Sequence, residues 1–517
     1  MRKLKYYFLP IIAGIFLGTS YIPFQPWALF FCLVPLFIFW MRSKTPFESF
    51  FAGWLAQFVL NLIGFHWIYY LAAEFGHFPS WLAALTLLGF AATAHLYYPV
   101  AGLLWFWLQK KFKLSTNQSL LLMFALFALL QKYFLVLFPW HFGYEWLYGG
   151  LKGYQLADWI GFEGLNIIAI LSSTLFCLAY FARAESNKKF WYFALSPFAL
   201  ILLMNLLGDL HAKSLPIPDR STKVLAIQAN IGNSEKIYAE KGRGFQDFIM
   251  NKFINQSEAA LAQNPGAEFV IWPETGFADH LDNLYQSEPR NVSMRNFAAK
   301  NKINLFTGAY HENPFTRQIY NSIFLIEKDG VVRQPPYDKN ILLAFGEYVP
   351  FSKYYPKVLK WLDLTEFGRG HGANLFKIND IKFGPEICYE GLYSSIARDL
   401  SLLGAEIIIN VTNDSWYGTW FEPYQHLYMT AARAIEFRRP VIRATNTGIT
   451  SVILPNGDFL EKSPTSKEWS HLYDVPYLKN AEHTLYEKIF YIWDILLGAI
   501  ILCVLILAKI GPKRARL

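Results

Sequence analysis

Phe383-Gly384-Pro385-Glu386-Ile387-Cys388-Tyr389-Glu390 is the stretch on which the reading of this chain turns. Of the four cysteines, Cys32, Cys177 and Cys503 lie inside long apolar runs, whereas Cys388 sits in a polar segment of globular character. A Tyr-Glu pair follows it directly, and upstream stand Trp272-Pro273-Glu274-Thr275 and Tyr337-Asp338-Lys339. A carboxylate, an amine and a thiol in one such segment are the parts needed to make and break an acyl-thioester.

Working outward, the 517 residues are 54% hydrophobic and only 17% charged, which is little charge for a soluble domain. Apolar runs of membrane-spanning length account for the excess, at about 7–22, 26–41, 49–73, 81–108, 118–138, 162–182, 190–207 and 486–509, eight in all. The sequence therefore divides into a seven-helix membrane part (1–213), a globular segment (214–484), and a last span with a basic tail (485–517). The first run follows Met1-Arg2-Lys3-Leu4-Lys5 and lacks a small-residue cleavage site, so it reads as an uncleaved transmembrane helix. Arg42-Ser43-Lys44, Gln109-Lys110-Lys111-Phe112-Lys113, 183–189 and Lys513-Arg514-Ala515-Arg516 share one side with the N-terminus, which the positive-inside rule makes cytoplasmic. Seven crossings then put the globular segment outside, in the periplasm of a Gram-negative cell, and the eighth returns the C-terminus inside. The net charge of +8 is explained by these loops and implies no nucleic acid. The cysteines have no paired spacing, so Cys388 is expected as a free thiol.

The globular segment reads as α/β. Residues 224–231, 269–272, 304–308, 380–387 and 405–411 are apolar or β-branched strands, and 244–263 and 423–438 have helical spacing. Hairpin turns are expected at Asp329-Gly330 and Asn456-Gly457.

Glu274 follows a buried strand and a proline, so it projects from a strand end, where ligand sites of α/β folds gather; a solvated surface carboxylate is the plain alternative. Lys339 adjoins the apolar run Ile341-Leu342-Leu343-Ala344, and its burial calls for a carboxylate partner; a snorkelling surface lysine is the alternative. Cys388 taken alone is as readily a small core residue. The three lie 65 and 49 residues apart, which suits three separate elements meeting in space. His426, on an aromatic helix, reads as core rather than metal ligand, and no His/Cys/Asp set has metal spacing. No cofactor motif is present, so neither a cofactor nor a metal is expected.

These residues resemble the carbon–nitrogen hydrolase (nitrilase) superfamily, whose site is a Glu-Lys-Cys triad on an α-β-β-α sandwich. The eight-span frame narrows the resemblance to the apolipoprotein N-acyltransferases. Further landmarks are Phe345-Gly346-Glu347-Tyr348-Val349-Pro350, Asn413-Asp414-Ser415-Trp416, 443–449 and, in the membrane part, Phe138-Pro139-Trp140 and Phe142-Gly143-Tyr144. The resemblance implies that Glu274 is the general base, Cys388 the nucleophile, and Lys339, with a backbone N–H near Tyr389, the oxyanion stabiliser. Glu347 and Glu390 would place Lys339 or the incoming amine, with a structural salt bridge as the other reading. It implies a phospholipid acyl donor, a diacylglyceryl apolipoprotein acceptor and a bacterial inner-membrane location. The segment 348–361 mixes aromatics, aliphatics and lysines and reads as a lid dipping into the bilayer interface or as a loop packed on its domain. The family often carries a tryptophan where this chain has Ile237 or Tyr238, so no role is carried to that place. His66-Trp67 and Glu74-Phe75-Gly76 border a lipid portal or serve as interfacial anchors.

Two other readings compete. A membrane-tethered amidase or nitrilase-type hydrolase would use the same triad with water as acceptor. A transporter would place several ionisable residues deep in its spans, and the sequence offers few: His95, Lys132 and Asp494, with Asp158 and Glu163 near a span edge.

Overall fold

In the computed structural model the chain is described over residues 7–240, 244–350, 352–354 and 366–510, and it divides into two compact units. One comprises Met1–Ser214 with Lys488–Leu517, the other Leu215–Glu487.

The first unit is helical. Its elements are α1 (Phe8–Thr19), α2 (Val34–Arg42), α3 (Pro46–Gly64), α4 (Ser80–Thr93), α5 (Tyr97–Phe112), α6 (Thr116–Tyr133), α7 (Ala157–Ala182), α8 (Asn187–Ala212) and a C-terminal helix, Ile492–Ile510. Five helical stretches among the described residues are long and apolar enough to cross a membrane: Pro46–Gly64, Ser80–Phe112, Lys152–Ala182, Asn187–Ala212 and Ile492–Ile510. The expected count of eight is thus not reproduced. The first span shrinks to the 12 residues of α1, the second keeps only the 9 residues of α2, led in by Pro35, and the fifth is the 18-residue α6, which is not among the five. The prolines at 23 and 26 favour turns there, because each lacks the N–H that a helix interior needs, whereas Pro35 sits in the first turn of α2, where that N–H has no helical partner.

The ionisable residues of the spans pair with one another. Lys132 on α6 meets Glu163 on α7 at 3.0 Å and Asp494 on the C-terminal helix at 2.8 Å. Beside them Gly161 interrupts α7 with φ 69°, and the carbonyl of Ile160 accepts the Trp493 indole N–H at 2.7 Å. A polar chain runs through Gln57, Asn61 and His95: the Asn61 amide donates to Gln57 at 2.9 Å, and its oxygen lies 2.6 Å from His95 Nδ1. Each of these side chains thus has at least one partner within the unit, which offsets the cost of a polar group in hydrocarbon.

The second unit is built on two sheets. One has the order β11-β1-β2-β3-β4-β5, the other β10-β9-β8-β7-β6. The first comprises β1 (Arg220–Gln228), β2 (Phe269–Ile271), β3 (Asn304–Glu312), β4 (Ile319–Ile326), β5 (Tyr337–Asp338) and β11 (Trp469–Tyr477). The second comprises β6 (Phe376–Ile378), β7 (Ile381–Ile387), β8 (Ile407–Thr412), β9 (Val441–Thr445) and β10 (Ser451–Ile453). Each sheet has three parallel strands at its centre, β1-β2-β3 and β7-β8-β9, with antiparallel strands at the edges. The sheets pack face to face through aromatic rings: Phe383 lies 5.0 Å from Phe269 and 5.2 Å from Phe306.

Helices α9 (Asn233–Glu240), α10 (Gln246–Gln263) and α11 (Pro289–Asn301) belong to the first sheet, and α12 (Ser394–Leu402) and α13 (Glu422–Phe437) to the second. Leu225, Val270, Trp272 and Leu305 form one core with Phe253 of α10 and Phe297 of α11. The result is an α-β-β-α sandwich, as the family resemblance implies; the alternating strands and helices by themselves left the number of sheets open. Both expected turns are present: Gly330 closes one with φ 83° and Gly457 the other with φ 85°.

Candidate active site

Parallel strands place their C-terminal ends together, and the site forms there. β2 is only three residues long, and Trp272 anchors its exit: the indole stacks on Phe253 at 5.0 Å and donates to Ser257 Oγ at 2.9 Å. The chain then turns sharply. The Pro273 carbonyl accepts from Gly276 and Gly308, and Thr275 takes a left-handed φ of 49°. Gly308 permits this approach, since a Cβ there would lie 2.5 Å from Thr275 N and 2.7 Å from Glu274 Cα. Glu274 is thereby turned into the interior, only 7% exposed.

Lys339 follows β5. Its N–H bonds to the Asn321 carbonyl at 2.9 Å, continuing the strand pairing, and the residue is 1% exposed. The ammonium lies 2.8 Å from Glu347 Oε1 and 3.4 Å from Glu274 Oε1. Burial opposes its charge, but Glu347 and Glu274 outweigh burial and raise its pKa above the usual lysine range. The expected carboxylate partner is thus present twice. Glu347 is fixed in turn by the Leu343 N–H, 2.8 Å from Oε2.

Cys388 begins a 3-10 turn, Cys388–Leu392, directly after β7, with φ 51°. Its carbonyl accepts from Asn410 Nδ2 at 3.3 Å and faces His426 Nε2 at 3.2 Å. Burial drives the thiol pKa well above its usual value, Glu274's charge adds to that, and Lys339 opposes it. The resting group is therefore a thiol and needs a base before it can attack. Glu274 and Lys339 both act on it electrostatically, so the structure brings the three sequence-expected residues into one site.

Of the supporting residues, Glu347 contacts Lys339 directly, whereas Glu390 holds the main chain on either side of the site. Glu390 is fully buried and accepts from Ile387 N at 2.8 Å, Asn340 N at 2.6 Å, Ile341 N at 3.2 Å and Tyr337 OH at 2.9 Å. It ties the Lys339 loop to the Cys388 turn. Burial pushes its carboxyl up to about 7, with the Ile387 and Asn340 N–H groups pulling the other way. Tyr389 is buried and its hydroxyl accepts from Tyr393 at 3.1 Å.

Sequence reasoning missed Asn321 and a buried network behind Cys388. Asn321 Nδ2 donates both to Glu274 at 2.8 Å and to Glu347 at 2.9 Å. An asparagine inside a strand pattern carries no signal of that role. Behind Cys388, Asp414 Oδ2 pairs with Arg443 at 2.7 Å and Oδ1 with His426 Nδ1 at 2.9 Å. Asp414 and Arg443 were visible as motif residues, but not as partners. Asp414, Glu422 and His426 bring three ligand-type atoms within 4.8 Å of one another, a grouping that linear spacing did not reveal. Arg443 already supplies the cation there: against burial, it and His426 hold the Asp414 carboxyl below its usual range. Of the expected lid, residues 351 and 355–361 lie outside the described residues, as does the Ile237 side chain; Tyr238 is exposed and stacks on Phe245.

Residues 216–472 match the family described as carbon-nitrogen hydrolase, and residues 13–175 match the apolipoprotein N-acyltransferase N-terminal domain. The chain is 44% identical to an apolipoprotein N-acyltransferase of Bdellovibrio bacteriovorus, over 95% of this chain and 92% of that one. It is 31% identical to one of Pseudomonas syringae pv. tomato, over 88% of each. Among solved structures, an amidase from Nesterenkonia sp. aligns over 51% of this chain and 94% of its own, with 18% identity and a TM-score of 0.36. A nitrilase-superfamily protein of Saccharomyces cerevisiae aligns over 51% and 92%, with 18% identity and a TM-score of 0.38.

Proposed function

This chain belongs to the apolipoprotein N-acyltransferases, and from that premise we propose how its residues acylate a lipoprotein N-terminus. The protein is an N-acyltransferase with a nitrilase-like domain and several apolar helices, and it acts in lipoprotein N-acylation. The donor is a membrane phospholipid, and the acceptor is the α-amino group of a diacylglyceryl-cysteine.

Glu274 takes the Cys388 proton as the sulfur attacks the ester carbonyl. The Lys339 ammonium and the Tyr389 N–H receive the oxyanion. The C–O bond breaks, the lysophospholipid alkoxide regains the proton from Glu274, and Cys388 holds the acyl chain as a thioester. In the second half the amine attacks the thioester and Glu274 accepts its proton. The C–S bond then breaks, the thiol is restored and an amide remains.

Glu347 and Asn321 keep Glu274 and Lys339 in register throughout, while Glu390 fixes the loops that carry Lys339 and Cys388. The burial of all three central side chains limits water, which would turn transfer into hydrolysis. On this reading the catalytic unit faces the periplasm, both termini lie in the cytoplasm and the helices cross the inner membrane, which the one-sided distribution of the basic loops supports. The observation that carries this reading is the Lys339–Glu274 contact of 3.4 Å, with the buried Cys388 thiol in the field of both.

The test supplies full-chain protein with acyl-labelled phospholipid and a diacylglyceryl-cysteinyl peptide. The label should enter the peptide in a hydroxylamine-stable bond, and a peptide with a blocked amine should gain none. Release of the label as free fatty acid, with the acceptor unmodified, would contradict the reading.

A further inference from the structure

The base is held at its carboxylate by Asn321 and Lys339; a second lysine holds it from behind. Lys236 lies on α9, in the stretch 233–238 where the family resemblance assigned nothing, and it is 1% exposed. Its Nζ donates to the Glu274 main-chain carbonyl at 3.0 Å and to Thr275 Oγ1 at 3.0 Å. Both acceptors flank the left-handed bend at Thr275, where φ is 49° in a β-branched residue. Such a backbone persists only when its surroundings over-determine it.

We propose that Lys236 is a positioning residue for the acylation step: its ammonium clamps the Glu274–Thr275 bend and so fixes where the base carboxylate stands relative to the Cys388 thiol. The inference rests on the reading of Glu274 as the base. Without the clamp, Thr275 relaxes toward ordinary backbone and carries Glu274 with it. A displacement near 1 Å at a reacting group costs on the order of 100-fold in rate. Neither the Glu274 carbonyl nor the Thr275 hydroxyl touches substrate in the proposed mechanism, so lipid binding is left unchanged.

The test measures single-turnover formation of the acyl adduct on Cys388, by intact mass, with phospholipid in detergent micelles and no acceptor. It compares full-chain wild type, Lys236→Met and Lys236→Gln. The saturating rate of Lys236→Met should fall about 100-fold, with the half-saturating phospholipid concentration within about twofold of wild type. Lys236→Gln keeps an N–H for the Glu274 carbonyl and should recover about tenfold of that loss, which a merely structural lysine would not give. It also carries the test should the methionine variant not fold. A saturating rate equal to wild type in either variant, or a change confined to half-saturation, overturns the role of Lys236. A wild-type protein that forms no adduct on Cys388 overturns the mechanistic reading beneath it.

Discussion

Replacing Asn321 by leucine, a side chain of similar size, separates the two carboxylates of the site from their shared donor. Asn321 Nδ2 lies 2.8 Å from Glu274 Oε1 and 2.9 Å from Glu347 Oε1, and both of those oxygens also face the single ammonium of Lys339. A hydrogen bond to a charged group contributes about 1.5–3 kcal/mol. Part of that is lost equally from the resting enzyme and the transition state and leaves the rate unchanged. If about half of the two bonds' worth bears on placing Glu274 and Lys339, the barrier rises by about 1.5–3 kcal/mol, or roughly 10–100-fold in rate. Asn321→Asp should be worse, because it sets a third carboxylate beside Glu274 and Glu347 with one ammonium among them. The assay is the rate at which Cys388 acquires an acyl mass from phospholipid, read beside the thermal midpoint of each variant. The expected order is wild type, then Asn321→Leu, then Asn321→Asp. Acylation of Asn321→Leu within twofold of wild type would refute the idea that this amide supports the base.

Three further outcomes follow from other contacts. Gly308→Ala should cut acylation at least 100-fold with the fold retained, because its Cβ would press on Thr275 N at 2.5 Å and push Glu274 out of place; circular dichroism and the adduct rate check it together. Arg443→Met leaves the buried Asp414 with His426 as its remaining partner and should cost about 3–5 kcal/mol of stability, and adding Asp414→Asn should recover much of it in thermal unfolding of the full chain. The third concerns pH: burial and the neighbouring Glu390 push the Glu386 carboxyl up to about 8, and burial pushes Glu390 up to about 7. Folded values above the ordinary carboxylate pKa of about 4.3 give stability that is fully present below that pH and lost as pH rises through 7 and 8. The thermal midpoint should therefore fall between about pH 5 and pH 9, and Glu386→Gln should flatten that fall.

The parts of this molecule that sequence makes legible are those where one local pattern has one physical cause. The β-branched run 405–411 predicts a buried strand, and β8 occupies Ile407–Thr412 with every residue buried. The helical spacing of 423–438 becomes α13, Glu422–Phe437, and Asp329-Gly330 and Asn456-Gly457 form the tight turns their residue types favour. Glu274 and Cys388 stand out because each follows a buried strand's apolar pattern, and Lys339 because it adjoins the apolar run 341–344. Asn321 does not stand out, because its role arises from cross-strand geometry: it sits beside Lys339 only through the β4–β5 pairing. The pairing of Asp414 with Arg443 likewise depends on β8 and β9 lying side by side. The count of eight spans is matched only in part for a related reason. Hydropathy sees an apolar stretch at 26–41, but prolines and main-chain turns convert half of it to non-helical chain before α2 begins.

Acyl transfer by this enzyme turns on a covalent acyl group on Cys388. The most direct measurement incubates the full-length protein with phospholipid and no acceptor, then weighs it intact beside Cys388→Ala. The wild type should gain a fatty-acyl mass that hydroxylamine removes and the alanine variant lacks. A folded wild type that turns over lipid without gaining that mass, or a Cys388→Ala variant that gains it equally, would rule out the Cys388 thioester.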